Sequence, residues 1–117
     1  MKSINEYKEE CFEKMRKCRD AFMALGDDNR QKIIKAVFEK GKSGMRVGDI
    51  TAVIKLSRPA VSHHLKILKS AKLINVRRVG TKNYYYVDKA AEIWKQIEEL
   101  AADVANVVST EALGIRD

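Results

Sequence analysis

A mainly helical domain carrying one small β-hairpin is the fold class the sequence predicts, on three observations. Apolar residues recur at steps of three and four along several separate stretches. One proline and six glycines in 117 residues leave room for long helices. A single segment, Leu73 to Val87, is instead rich in β-branched residues and tyrosine, and Gly80-Thr81 divides it. Apolar residues at 45% and charged residues at 33% are globular values, so the expectation is one domain, 1–117, with one core.

Residues 4–25 read as a first helix. Ile4, Tyr7, Cys11, Met15, Cys18, Phe22 and Leu25 form its apolar seam, and Gly26 closes it. Asp27-Asp28-Asn29 then offers N-caps for a second helix with Ile33, Ile34, Val37 and Phe38 on one face, ending at Gly41. Met45-Arg46 fits a short strand. Val47 to Lys55 reads as a short third helix with Val47, Ile50, Val53 and Ile54 inward. Ser57 caps a fourth helix that runs to about Ala71, and Pro59 falls early in it, where a missing N–H is harmless. Leu73–Val79 and Asn83–Val87 form the hairpin. Asp88 is expected to cap a last helix to about Thr110, with Ala90, Ile93, Ile97, Leu100, Val104 and Val107 on a coiled-coil-like seam. The predicted order is helix, helix, short strand, helix, helix, hairpin, helix.

Two short helices joined by a tight turn and followed by a basic hairpin make a winged helix-turn-helix, here residues 47–71 with a wing at 73–87. On the fourth helix, Leu65 and Leu68 lie within about 40° of Val61, which fixes the buried face. Pro59, Ser62, His63, Lys66 and Ser70 then project outward. That face is small, polar or basic and holds no acid, so it can enter a major groove without like-charge repulsion and present donors to base edges. His64 lies on the flank and is read as a packing or hydrogen-bonding residue. Ser57 and Arg58 stand at the helix N-terminus, which favours a phosphate. Arg77, Arg78, Thr81 and Lys82 surround Gly80 in a narrow basic tip suited to phosphates or a minor groove.

Charge agrees with this reading. Between Asp49 and Asp88 there is no acidic residue, and the 38 positions from Ile50 to Val87 hold eight Lys/Arg and both histidines. The net charge is +7, yet the other 79 residues carry 15 Lys/Arg against 16 Asp/Glu. The positive field is therefore one module in a near-neutral frame, as a polyanion partner requires.

Residues 58–68, Arg-Pro-Ala-Val-Ser-His-His-Leu-Lys-Ile-Leu, resemble the recognition-helix signature of the ArsR/SmtB bacterial repressors. Ala24 to Arg30 resembles the opening of that family's second helix, and Val79 to Tyr86 its wing. The resemblance implies a winged-helix homodimer that binds double-stranded operator DNA and represses transcription. It also implies that Arg58, Ser62 and His63 face the bases. A two-fold pairing of the first and last helices would set the two recognition helices on an inverted repeat. Many metal-sensing relatives carry a Cys-x-Cys-Asp pattern where this chain has Arg46-Val47-Gly48-Asp49, and residues 88–117 hold no histidine, so no metal or cofactor is expected.

The helices at 1–25 and 88–110 are expected to dimerise through Tyr7, Cys11, Met15, Cys18, Ile93, Ile97, Leu100 and Val104. Cys11 and Cys18 stand seven residues apart, about 10.5 Å along a helix, too far for a disulfide within it. They read as small apolar packing residues, with a thiol switch across two chains as the alternative. No signal-peptide-like stretch and no bilayer-length run is visible, so a cytoplasmic protein is expected. No nucleophile elbow and no phosphate-cradling glycine loop supports an enzyme. The rival reading is a basic interaction module for an acidic protein partner.

Overall fold

The computed structural model describes residues 1–88 and 90–114. These form two compact units. One joins the first nineteen residues to the helix that starts at Glu92, and the other is Asp20–Ala91.

In the first unit, α1 (Ile4–Lys17) packs against α6 (Glu92–Ala112). Ser3 caps α1 by accepting from the Glu6 N–H. Cys11 from α1 and Ile93 and Leu100 from α6 are buried, and Ile97, Val104 and Val107 are half-buried. Ion pairs Lys8–Glu111 and Lys14–Asp103 run between the two helices. Both are solvated, so burial rather than charge carries this packing. The Trp94 indole N–H is buried with no hydrogen-bond partner among the described residues.

Two boundaries differ from expectation. The helix predicted over 4–25 breaks at Cys18, whose N–H is shared between the Lys14 and Met15 carbonyls, and α2 (Arg19–Leu25) follows. The apolar spacing continues through the break because Cys18 itself is fully buried, so periodicity alone could not reveal it. The last helix starts at Glu92 rather than at Asp88. Asp88 instead closes a turn, its carboxylate accepting from the Ala90 N–H at 2.9 Å and its carbonyl from the Ala91 N–H at 3.0 Å.

In the second unit, α3 (Asp28–Lys40) is capped by Asp27, which accepts from the Arg30 N–H at 3.0 Å. Ile33 and Val37 are fully buried. Phe38 was expected beside them but is 68% exposed. It sits about 140° around the helix from Ile33, beyond the buried arc. Next, α4 (Val47–Ile54) buries Ile50. Val53, expected inward, is 59% exposed, since Val47 and Ile54 lie to one side of Ile50 and Val53 to the other. Lys55 ends α4 in the left-handed region at φ 61° and turns the chain into α5 (Arg58–Ser70). Val61, Leu65 and Leu68 of α5 are buried, as their angles require.

Strands β1 (Asn75–Val79) and β2 (Lys82–Tyr86) pair antiparallel, with Val79 opposite Lys82 across Gly80-Thr81. Gly80 takes φ +64°, the left-handed conformation that glycine adopts without strain. The short strand expected at Met45-Arg46 is a single bridge. Met45 and Tyr85 exchange both backbone hydrogen bonds at 2.8 Å. Gly44 makes this approach possible, because a Cβ there would stand 3.0 Å from the Tyr85 carbonyl oxygen. Helices α4 and α5 with this hairpin form a winged helix-turn-helix.

Candidate nucleic-acid interface

The candidate face begins at Ser57. Its hydroxyl oxygen accepts from the Ala60 N–H at 3.3 Å, which caps α5 and leaves the hydroxyl hydrogen free to donate outward. Because α5 is anchored by three buried aliphatic residues, its opposite side must face solvent. Arg58, Ser62, His63 and Lys66 are all exposed there. None of the four makes an ion pair among the described residues, so their donors remain available.

His64 differs from His63. It is half-buried, and its Nδ1 lies 3.4 Å from Arg30 Nη1. The same guanidinium donates to the Ala24 carbonyl at 2.8 Å and the Met23 carbonyl at 3.3 Å. Arg30 thus ties the end of α2 to α3 and reaches α5 through His64. His63 and Lys66 also border a shallow groove against Met23 of α2, where Asp20 stands at the edge. The acid-free property belongs to α5 and the wing, not to every residue near them.

The wing divides the expected DNA-contacting arginines. Arg77 lies opposite Tyr84, and Arg78 opposite Asn83, so the two side chains leave opposite faces of the hairpin. Arg77 donates to the Lys42 carbonyl at 3.2 Å and the Ser43 carbonyl at 3.0 Å. Its guanidinium also stands 5.4 Å from the Tyr86 ring and 6.0 Å from the Tyr84 ring. Arg77, expected at DNA, is exposed and also holds the hairpin to the turn at Gly41–Ser43. Sequence proximity to Gly80 concealed this, because strand alternation separates neighbours. Arg78 donates from Nε to the Gly80 carbonyl at 3.0 Å, which keeps its side chain at the tip beside the exposed Thr81 and Lys82.

One cation escaped the sequence reading. Arg46, just before α4, borders a polar groove together with Arg58, Thr81 and Lys82. It lies on the far side of Asp49 from the acid-free window, so a linear charge scan assigned it to the neutral frame.

Comparison with known proteins agrees with this geometry. The family model described as "Bacterial regulatory protein, arsR family" matches residues 27–76. An uncharacterised HTH-type transcriptional regulator of Methanocaldococcus jannaschii is 41% identical over 90 residues, covering 75% of this chain and 99% of that protein. This chain belongs to the ArsR family. A second relative, the transcriptional repressor SdpR of Bacillus subtilis, is 41% identical over 66 residues, 56% of this chain and 70% of that protein. The solved structure of an ArsR-like transcriptional regulator from Rhodococcus sp. RHA1 superposes with a TM-score of 0.66 over 88% of this chain and 96% of its own, at 19% identity, and shares the fold. ArsR proteins are DNA-binding transcriptional regulators and not enzymes. Membership therefore sets aside the acidic-protein module as the primary reading. Among the described residues no helix is long and apolar enough to cross a membrane.

The residues expected at a dimer interface fall into three groups, of which one, Ile97 and Val104, is half-buried. Cys11, Cys18, Ile93 and Leu100 are buried within the single chain. Tyr7 at 47% and Met15 at 41% are exposed, as is the neighbouring Phe12 at 61%. Burial pushes the Cys18 thiol above its ordinary pKa, which lowers its thiolate fraction.

Proposed function

We propose that this ArsR-family regulator is a homodimeric repressor that reads an inverted-repeat operator. Ser62 and His63 would contact base edges, and Ser57, Arg58, Lys66, Arg78, Thr81 and Lys82 would contact phosphates or the groove walls. The observation that carries this reading is the outer face of α5. It is exposed, free of acids and opposite three fully buried aliphatic residues, so a rigid core presents it. The similarity to the transcriptional repressor SdpR supports repression as the outcome.

A two-fold through α1 and α6 would give the inverted repeat. Tyr7, Phe12 and Met15 leave large apolar surface on α1, and a second copy of the same chain would cover it. Two reading helices related by that axis would enter successive major grooves about one helical turn apart. The burial of Cys11 and Cys18 favours packing over a thiol switch.

Selection from a random DNA pool is expected to return two inverted half-sites. Recovery of unrelated sequences, with binding that depends on salt alone, would replace the specific repressor by a non-specific DNA-coating protein. Sedimentation equilibrium is expected to give a dimer at micromolar concentration, and a monomer there would remove the two-fold.

A further inference from the structure

We infer that a groove between the start of α4, the start of α5 and the wing tip is a phosphate-holding niche with Arg46 as its added ligand. It rests on the DNA-binding reading and deepens it by adding Arg46, which lies outside the α5 face and the hairpin tip. The groove, of about 360 Å³, is bordered by Arg46, Arg58 and Lys82, with the Thr81 hydroxyl beside them. Three cations from three elements meet at one opening, and none has an ion-pair partner among the described residues. Such a cluster repels itself until an anion arrives.

The single acid in the groove is already engaged. The Asp49 carboxylate accepts from the Arg46 backbone N–H at 3.3 Å and so closes the first turn of α4. Gly48 supplies bare backbone on the same wall, and the position of a Cβ there has no heavy atom within 4 Å. The opening is thus shallow, positive and unobstructed, with a hydroxyl and two guanidinium groups as donors. A tetrahedral phosphate monoanion fits that chemistry, and guanidinium forks match it better than any other side chain. The duplex backbone is its source, because Arg58 and Lys82 flank the reading helix and the wing tip that would straddle one strand. Arg46 then fixes how the helix-turn-helix sits on the backbone and carries no base preference of its own.

Salt titration of the full chain on a labelled random-sequence duplex tests this. Wild type, Arg46→Ala and Lys35→Ala would be compared, the last removing an equal charge at an exposed site paired with Glu39. The expected result is that Arg46→Ala lowers the slope of log affinity against log salt by about one per subunit, and Lys35→Ala leaves it unchanged. Equal slopes for wild type and Arg46→Ala would overturn the niche while leaving the DNA reading in place. Absence of duplex binding by wild type would overturn both. A further arm titrates inorganic phosphate at constant ionic strength and follows the Gly48 amide. A saturable shift together with an unchanged DNA slope would reassign the groove to a free phosphate and overturn the proposal as well.

Discussion

The guanidinium of Arg77 stands 5.4 Å from the ring of Tyr86, and two of its nitrogens donate to the Lys42 and Ser43 carbonyls. An arginine in a basic wing is therefore a structural clamp. Arg77→Ala is expected to lower folding stability by about 1 kcal/mol, read from urea unfolding. The salt dependence of duplex binding should stay that of wild type. Arg77→Lys keeps the charge but loses the planar fork, so it should be destabilised as well. A reduced salt slope with unchanged stability would instead place Arg77 on a phosphate.

Base reading is the role proposed for Ser62 and His63, both exposed on α5. Ser62→Ala and His63→Ala are each expected to narrow the gap between operator and random duplex by about 1 to 3 kcal/mol, with little effect on random-duplex affinity. Competition binding with both duplexes measures that gap. Loss of affinity in equal proportion on both would assign these side chains to the backbone.

Lys82→Ala and Arg78→Ala should do the reverse. Both residues sit at the wing tip, so affinity should fall on every sequence and the salt slope should flatten by about one per subunit. Unchanged binding for both would remove the wing from the interface.

Asp27 links pH to stability. The Arg30 backbone N–H it accepts, and then the Arg30 charge, hold its carboxyl below the ordinary aspartate value. Across the interval between the folded and unfolded pKa the unfolded chain binds more protons, so stability rises with pH there. This contribution is full above the unfolded aspartate value and disappears as pH falls through the folded one. Melting temperature should therefore drop more steeply on acidification for wild type than for Asp27→Asn, which retains a capping oxygen without the titration. Parallel acid limbs would show that Asp27 contributes nothing to them.

Thiol accessibility separates packing from switching. Both cysteines are buried, and burial raises the Cys18 pKa. Alkylation of the native protein near neutral pH should be at least about tenfold slower than after unfolding in urea. Comparable rates would return Cys11 and Cys18 to the list of sensing thiols.

Much of this architecture was legible from residue spacing. Val61, Leu65 and Leu68 define the buried side of α5 by angle alone, and Ser57 and Asp27 mark helix starts because their side chains can accept an orphan N–H. Gly80-Thr81 mark the hairpin turn because glycine takes the positive φ there without strain. Periodicity failed where a side chain's fate depended on a neighbour distant in sequence. Phe38 and Val53 have the right composition for a core, but both are left exposed among the described residues. The break at Cys18 was invisible because a buried residue occupies it and keeps the apolar rhythm intact.

The sequence by itself determined the helix-turn-helix, its acid-free reading face and the concentration of charge around it, because these depend on local angles and residue type. Only the tertiary structure decided which cations remain available. It set Arg77 against two carbonyls and two tyrosine rings, and it brought Arg46 from outside the basic window to the groove of Arg58 and Lys82. Both outcomes follow from chain segments more than thirty residues apart meeting at the wing, and no linear scan of charge contains that distance.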